Sequence, residues 1–372
     1  MTDKLTIALL TGGRSSEHSI SLITAVGVLG ALDRSKYDVV IIGITRDGRW
    51  YLASEEQLRE LVDADQAYAT FEGGGQQVFL PLGAQDSRLR LVDENQQLSL
   101  GSAIDVVFPL LHGPFGEDGT LQGLLEMADL KYVGCGVTAS AIGMDKHFMK
   151  LAFEAAGLEV GPYEVVTDRQ WRHNREEALE RVNRLQYPVF VKPTRAGSSF
   201  GITKVDEPSQ LQAAIEEART FDPKVIIEQG IDGREIELSV LDGHHGQMPR
   251  VSYPGEIEVV QQSEQAFYDF EAKYVSKTDA VTRCPADLPQ QVQDELREQA
   301  VRAFLALDGE GLSRADFFYT SDGRVLINEV NTMPGFTPIS MYKTLWEYGG
   351  LSYSELIDEL ISLAVERPLG LR

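Results

Sequence analysis

Ser313-Arg-Ala-Asp316-Phe-Phe-Tyr-Thr320, then Ser321-Asp322-Gly323, then Arg324-Val-Leu-Ile-Asn-Glu329-Val-Asn331 is the stretch that decides how this chain reads. Two runs rich in aromatic and β-branched residues around Asp-Gly predict a β-hairpin. With a two-residue type I′ turn, Ser321 faces Arg324, and counting outward sets Asp316 opposite Glu329 and Arg314 opposite Asn331. Side chains alternate along a strand, so these four share one face. The other face pairs Ala315, Phe317 and Tyr319 with Leu326, Asn328 and Val330, and is mostly apolar. Two carboxylates directly opposite one another repel, so a compensating charge is required. The oxygens of Asp316, Glu329 and Asn331 are hard donors that suit Mg²⁺ or Mn²⁺ completed by phosphate oxygens and water. A solvated face balanced by Arg314 is the plain alternative.

Directly after the hairpin, Thr332-Met-Pro334-Gly335-Phe336 forms a turn, and Thr337-Pro-Ile-Ser340 opens a helix. Backbone N–H groups and a hydroxyl at a helix start make an anion site, or simply a cap. Upstream, Val189-Phe-Val-Lys192-Pro is a strand ending in lysine. The small residues of Thr194-Arg-Ala-Gly197-Ser198-Ser199-Phe-Gly201 then suit a cover over a triphosphate, without the P-loop ending. At Ile226-Ile-Glu228-Gln-Gly-Ile231 a strand runs into a linker, an edge where an adenine can pair with backbone and one acid. Thr11-Gly-Gly-Arg-Ser-Ser-Glu17-His18 follows the first strand without the dinucleotide-binding glycines. Leu111-His112-Gly-Pro-Phe-Gly-Glu117-Asp-Gly119 also follows a strand, at the edge where open α/β sheets bind ligands, although a lone histidine there is more often structural.

The rest of the chain predicts an α/β fold that is α+β in part. Residues 5–10, 19–32 and 39–45 read strand, helix, strand, and 104–108, 120–127 and 131–133 repeat the rhythm of a parallel sheet. Between them, about 53–101 is Gln- and Gly-rich and reads as an insertion of hairpins and loops. A helix at 145–156, strands at 160–166, 188–192 and 225–228 and a helix at 208–219 form a small α+β unit. Strands at 235–241 and 256–260 follow, then a polar stretch of about 261–283 read as a mobile loop, a helix at 290–307, the hairpin and two helices. The 372 residues predict two or three domains. Lys+Arg 34 against Asp+Glu 57 gives 34 − 57 = −23, which disfavours nucleic acid but leaves room for one basic pocket. Neither a signal peptide nor a membrane-length apolar run is visible, and two cysteines fit a cytoplasmic protein.

Taken in order and spacing, Gly12 to Glu17, His112 to Gly119, Lys192 to Ser199, Tyr268-Asp-Phe-Glu-Ala-Lys-Tyr274, Arg314-Ala-Asp316 and Asn328 to Gly335 resemble the D-alanine–D-alanine ligases of the ATP-grasp superfamily, over nearly the whole chain. The resemblance implies three domains: 1–133 binding substrate, 134–232 and 233–372 clamping ATP. It implies ATP-driven joining of two D-alanine molecules through an acyl phosphate, for peptidoglycan precursors, with Mg²⁺ or Mn²⁺ as two ions, in a cytoplasmic homodimer without nucleic-acid or membrane partners. Lys146, Lys192 and Lys273 match phosphate lysines, with Ser199 and Ile231 also on the nucleotide. Glu228 matches the acceptor for the adenine amino group, and Asp316, Glu329 and Asn331 the metal ligands. Arg314 and the Gly335 N–H match an oxyanion site. Glu17, with His112 nearby, matches the holder of the first substrate's ammonium, and Ser340 with Met341 the position taking the second carboxylate. Ser198, Glu235 and Tyr274 match a set that closes a loop over the site.

Three departures or variants matter. Gln229 stands where a lysine is common, the insertion belongs to one branch, and Tyr274 stands where relatives using D-lactate carry histidine, which favours D-alanine as acceptor. D-serine or D-lactate as acceptor, and a non-catalytic ATP-binding protein on the same fold, are the competing expectations. A dehydrogenase is remote.

Overall fold

The computed structural model describes residues 4–64, 68–82, 86–197, 201–259, 280–337 and 340–368. The first segment contains β1 (Leu5–Gly12), α1 (His18–Ala31), β2 (Tyr37–Ile44), β3 (Trp50–Ala53), α2 (Glu55–Ala64), β4 (Gln77–Phe79), β5 (Arg88–Val92), β6 (Leu98–Ala103), β7 (Val106–Pro109), α3 (Thr120–Met127) and β8 (Lys131–Tyr132). They build one eight-stranded sheet, in the order β6-β5-β4-β3-β2-β1-β7-β8. Pairing is parallel among β2, β1, β7 and β8. Ile7 to Leu10 of β1 are fully buried, as a parallel sheet covered on both faces requires.

The expected 53–101 insertion holds the hairpins but is corrected in one respect, a helix in place of loop. Its strands β4 to β6 extend this same sheet antiparallel from β3, and it contains a helix. Leu58 and Val62 are buried and Leu61 packs on the core, the i, i+3, i+4 spacing of an amphipathic helix, while Arg59 pairs with Glu55 on the outer side.

After α4 (Val137–Met144) and α5 (Lys146–Ala155) come β9 (Tyr163–Val166), α6 (Asp168–His173), α7 (Arg175–Val182), β10 (Val189–Pro193), β11 (Thr203–Val205), α8 (Pro208–Ala218) and β12 (Val225–Gln229). Their antiparallel sheet has the order β11-β10-β12-β9. The last segment holds β13 (Gly233–Leu241), β14 (Arg250–Val251), β15 (Gly255–Val259), β16 (Ala280–Arg283), α9 (Gln290–Ala306), β17 (Leu312–Thr320), β18 (Val325–Asn331), α10 (Met341–Tyr348) and α11 (Tyr353–Glu366). Its sheet runs β16-β15-β13-β17-β18, with β14 on β13. Most of the expected loop at 261–283 lies outside the described residues. Its end, β16, is a strand paired with β15 and not loop.

The cores cross the sequence boundaries. Met149 and Phe153 of α5 pack with Phe304 of α9 and Phe317 and Ile327 of the hairpin. Phe336, Tyr342 and Leu360 from the chain end join Leu9, Ile20 and Phe108 in the core of the first sheet. These two exchanges brace the walls between which the site forms. Among the described residues no helix is long and apolar enough to cross a membrane.

The hairpin corrects the expected turn. Thr320 N–H donates to Arg324 O and Gly323 N–H to Thr320 O, each at 3.0 Å, so the turn has three residues with Gly323 left-handed at φ 85°. That moves the register by one residue. A bulge between Asp316 and Phe317 moves it back: Phe317 pairs with Ile327, Asp316 with Glu329, and Asn328 is the extra residue. Arg314 opposite Asn331 and Asp316 opposite Glu329 are therefore as expected. On the reverse face Ala315 opposite Val330 is as expected too, but the two pairs nearer the turn are not. Val325, Ile327 and Val330 lie on it, in place of Leu326 and Asn328, so that face is apolar throughout and sits in the core.

Candidate active site

The register of β13 against β17 places a third acid in line. Glu237 lies opposite Asp316, which lies opposite Glu329, so three carboxylates cross the sheet in one row. Arg314 occupies the next row and reaches back to them. Its Nε and Nη2 donate to the two oxygens of Asp316 at 2.7 and 2.6 Å, and Nε is 3.2 Å from Glu237 Oε2. Burial works against the guanidinium's charge, but Asp316 and then Glu237 outweigh it and hold its pKa well above the usual value. Asn331 Nδ2 donates to Asp316 Oδ2 at 3.0 Å, which leaves its amide oxygen out of that contact, and the residue lines the same cavity. The set Asp316, Glu329 and Asn331 thus offers only hard oxygen donors beside concentrated negative charge, which fits a Mg²⁺- or Mn²⁺-type ion. It does so as two acids and an amide. Among the described residues no three His, Cys, Asp or Glu side chains form a metal cage.

Facing the acids is a wall of lysines. Lys146 Nζ donates to Glu329 Oε2 at 3.0 Å, one turn before Lys150 on α5. Burial lowers the Lys146 pKa but Glu329 more than restores it, so the lysine stays charged. Lys192, on β10, donates to Glu228 Oε2 at 2.5 Å. Lys150 Nζ is 2.8 Å from Glu228 Oε1. Burial raises the Glu228 pKa, but Lys150 and then Lys192 pull it below the ordinary range. Inside a protein of net charge −23, this wall gathers three lysines that could meet a polyanion, each now balanced by an acid of the same cavity.

The N-terminal end of the cavity is acidic. Glu17 is buried at the start of α1. Two glycines make room for it: a Cβ on Gly113, whose φ is +72°, would lie 2.5 Å from Glu17 Oε2, and one on Gly197 would lie 2.7 Å away. Gly113 N–H donates to Glu117 Oε2 at 2.5 Å. Burial first, and the charge of Glu17 second, push the Glu117 carboxyl up to about 8. His112 is within 3.2 Å of Thr24 Oγ1 through Nε2, and burial lowers its pKa to about 4, so it is neutral. Ser340 stands at the N-cap of α10 but makes no side-chain cap bond. Its Oγ accepts from Thr337 N–H at 2.9 Å, so the plain-cap alternative is not what the hydroxyl does.

Every predicted site residue within the described chain lines a single cavity of about 410 Å³: Glu17, His112, Lys146, Lys192, Glu228, Ile231, Glu235, Arg314, Asp316, Glu329, Asn331, Gly335, Ser340 and Met341. Ser198, Ser199, Lys273 and Tyr274 lie outside the described residues. Three further lining residues, Glu117, Lys150 and Glu237, were not expected. Each had a sequence signal: Glu117 sits in the histidine motif, Lys150 is four residues after Lys146 on the same helix face, and Glu237 is two after Glu235 on one strand face.

The geometry can hold an ammonium at Glu17, a polyphosphate along the lysines, and a developing oxyanion at Arg314. Family models for the N-terminus and C-terminus of D-ala D-ala ligase match residues 6–135 and 152–362. A D-alanine–D-alanine ligase of Kocuria rhizophila is 64% identical, covering 100% of this chain and 96% of that protein. One from an Arthrobacter species is 55% identical over 98% and 95%. Among solved structures, the D-alanine–D-alanine ligase from Coxiella burnetii superposes with TM-score 0.81 at 32% identity, covering 98% of this chain and 95% of that one. The VanG D-Ala:D-Ser ligase from Enterococcus faecalis also gives 0.81, at 35% identity over 97% and 100%.

Proposed function

This chain belongs to the D-alanine–D-alanine ligase family, and from that premise we propose how its cavity works. It is a ligase that forms a C–N bond, joining two D-alanine molecules into D-alanyl-D-alanine with ATP. Chemistry runs in two steps: one D-alanine carboxylate attacks the γ-phosphate to give an acyl phosphate and ADP, and the amine of the second then displaces phosphate.

In our reading Glu17 holds the first substrate's ammonium, with neutral His112 beside it. Lys146 and Lys192, with Lys273, offset the triphosphate charge. Asp316, Glu329 and Asn331 would hold two Mg²⁺ or Mn²⁺ ions, which when bound neutralise phosphate charge. Arg314 and the Gly335 N–H meet the oxyanion of the tetrahedral intermediate, where preorganised donors act without reorganising. Ser340 and Met341 take the second carboxylate, and Glu228 with Ile231 takes the adenine. Ser198, Glu235 and Tyr274 close the site and keep water from the acyl phosphate, and Ser199 joins the nucleotide contacts. We also propose lobes at 1–133, 134–232 and 233–372, a homodimer, and a cytoplasmic peptidoglycan-precursor role, all supported by the family resemblance.

The observation that carries the reading is that an ammonium-type acid, a lysine wall and an arginine-bridged acid row open onto one cavity. The test measures ADP and dipeptide from ATP, Mg²⁺ and D-alanine, alone and paired with D-serine or D-lactate. Dipeptide from D-alanine alone supports the reading. Product only in the presence of D-serine or D-lactate overturns the acceptor choice, and no ADP with any of them overturns the catalytic reading.

A further inference from the structure

Glu228 is buried at the nucleotide end of the cavity and makes ion pairs to two lysines, one on each carboxylate oxygen. The lysines differ in placement. Lys192 is on β10, its side chain 18% exposed, and is the one assigned above to the phosphates. Lys150 is on α5, its side chain 3% exposed, and is held from several sides. Its Nζ is 2.8 Å from Glu228 Oε1 and donates at 3.4 Å to the carbonyl of Asn328, the extra residue of the hairpin bulge. The Tyr163 ring lies 5.8 Å from it. It therefore ties the acid on the central sheet to the irregular point of the C-terminal sheet. The groups facing Glu228 are Lys150, with Lys146 beyond it, on α5, Lys192 on β10, and Tyr163 on β9.

We propose that Lys150 is a positioning residue for nucleobase selection, keeping Glu228 an ionised acceptor aimed at an exocyclic amino group while Lys192 serves the phosphates. The proposal rests on the assignment of Glu228 to the adenine. An ionised carboxylate accepts from the 6-amino group of adenine and repels the 6-oxo group that guanine presents at the same position. With Lys192 drawn to the phosphates, a buried carboxylate that also lacks Lys150 takes up a proton instead. It then donates, tolerates the 6-oxo group, and loses its advantage with the amine. A site that leaves a buried polar group mismatched discriminates strongly, which is the source of the selectivity.

The test compares wild type, Lys150→Met, Lys150→Arg and Glu228→Gln with ATP and with GTP, reading nucleoside-diphosphate release at saturating D-alanine, and the KM for D-alanine. Expected for Lys150→Met is a rise of about ten-fold or more in the KM for ATP, with kcat changed much less. The KM for D-alanine stays, the ATP-to-GTP preference falls about ten-fold or more, and Lys150→Arg recovers most of it. If Glu228→Gln shifts the preference and Lys150→Met does not, the proposal is overturned while the adenine assignment stands. Should Glu228→Gln leave both nucleotides unchanged, the assignment and the proposal fall together. Because Lys150→Met takes one of two cations from a buried carboxylate and can fail to fold, the double variant Lys150→Met/Glu228→Gln is the second arm. Kinetics matching those of Glu228→Gln alone support the coupling, and a further independent loss of the same size overturns it.

Discussion

Replacing Arg314 separates charge from shape. The guanidinium sends two N–H groups to Asp316 and lies 3.2 Å from Glu237, with Glu329 next in the same acid row. Arg314→Ala removes the cation that Asp316 and Glu237 share, while Glu329 keeps Lys146. Breaking a buried pair from one side costs on the order of 3–5 kcal/mol. With the arginine side chain 21% exposed, water offsets part of that, and the loss falls toward the lower bound. Arg314→Lys restores the charge, and most of that stability returns. It does not restore the planar fork, so the donor that we assign to the intermediate is lost in both variants. Removing one such preorganised donor lowers turnover by roughly 10²–10³-fold. The assay pairs denaturant midpoints with ADP release at saturating ATP and D-alanine. Arg314→Lys is expected to be nearly as stable as wild type and still about a hundred-fold slower, with the KM for ATP little changed. A near-normal kcat in Arg314→Lys would refute the oxyanion assignment, and an unchanged denaturation midpoint in Arg314→Ala would refute the account of the acid row.

Gly113→Ala puts a methyl 2.5 Å from Glu17 Oε2 at a left-handed position, and the displaced carboxylate should raise the KM for D-alanine about ten- to a hundred-fold while leaving that for ATP; equal KM values in variant and wild type would dismiss Glu17 as the ammonium anchor. Glu117, pushed up to about 8 from an ordinary 4.5, holds in the folded chain a proton that the unfolded chain releases, so this group's stabilisation is complete below pH 4.5 and disappears as pH rises through about 8. Glu117→Gln should flatten the fall in melting temperature between pH 5.5 and 9, and an equal fall in both proteins would contradict the assignment. Asp316→Asn should raise the Mg²⁺ concentration needed for half-maximal rate by on the order of 10–100-fold, whereas an unaltered Mg²⁺ titration would remove Asp316 from the ligand set.

What the sequence determined by itself is what short-range physics governs. Strand alternation put Arg314, Asp316, Glu329 and Asn331 on one face, and the buried run at Ile7 to Leu10 marked a parallel strand. Even there the agreement was partly compensation. The three-residue turn and the bulge at Asn328 each shift the register, in opposite senses, and only their sum leaves Asp316 opposite Glu329. The reverse-face pairs of Phe317 and Tyr319 lie beyond the turn but short of the bulge, which is why Leu326 and Asn328 were misplaced. The helix Glu55–Ala64 had a legible apolar spacing, obscured by the Gln- and Gly-rich residues after it. Tertiary structure alone decided which strands and helices meet. Pairing of β13 with β17 sets Glu237 against Asp316, and packing of α5 between two sheets brings Lys150 to Glu228. The fold also sets Glu117 within the field of Glu17, separated from it by 100 residues of chain (117 − 17). Such contacts depend on long-range closure and on the burial that strengthens charge interactions, neither of which a local pattern encodes.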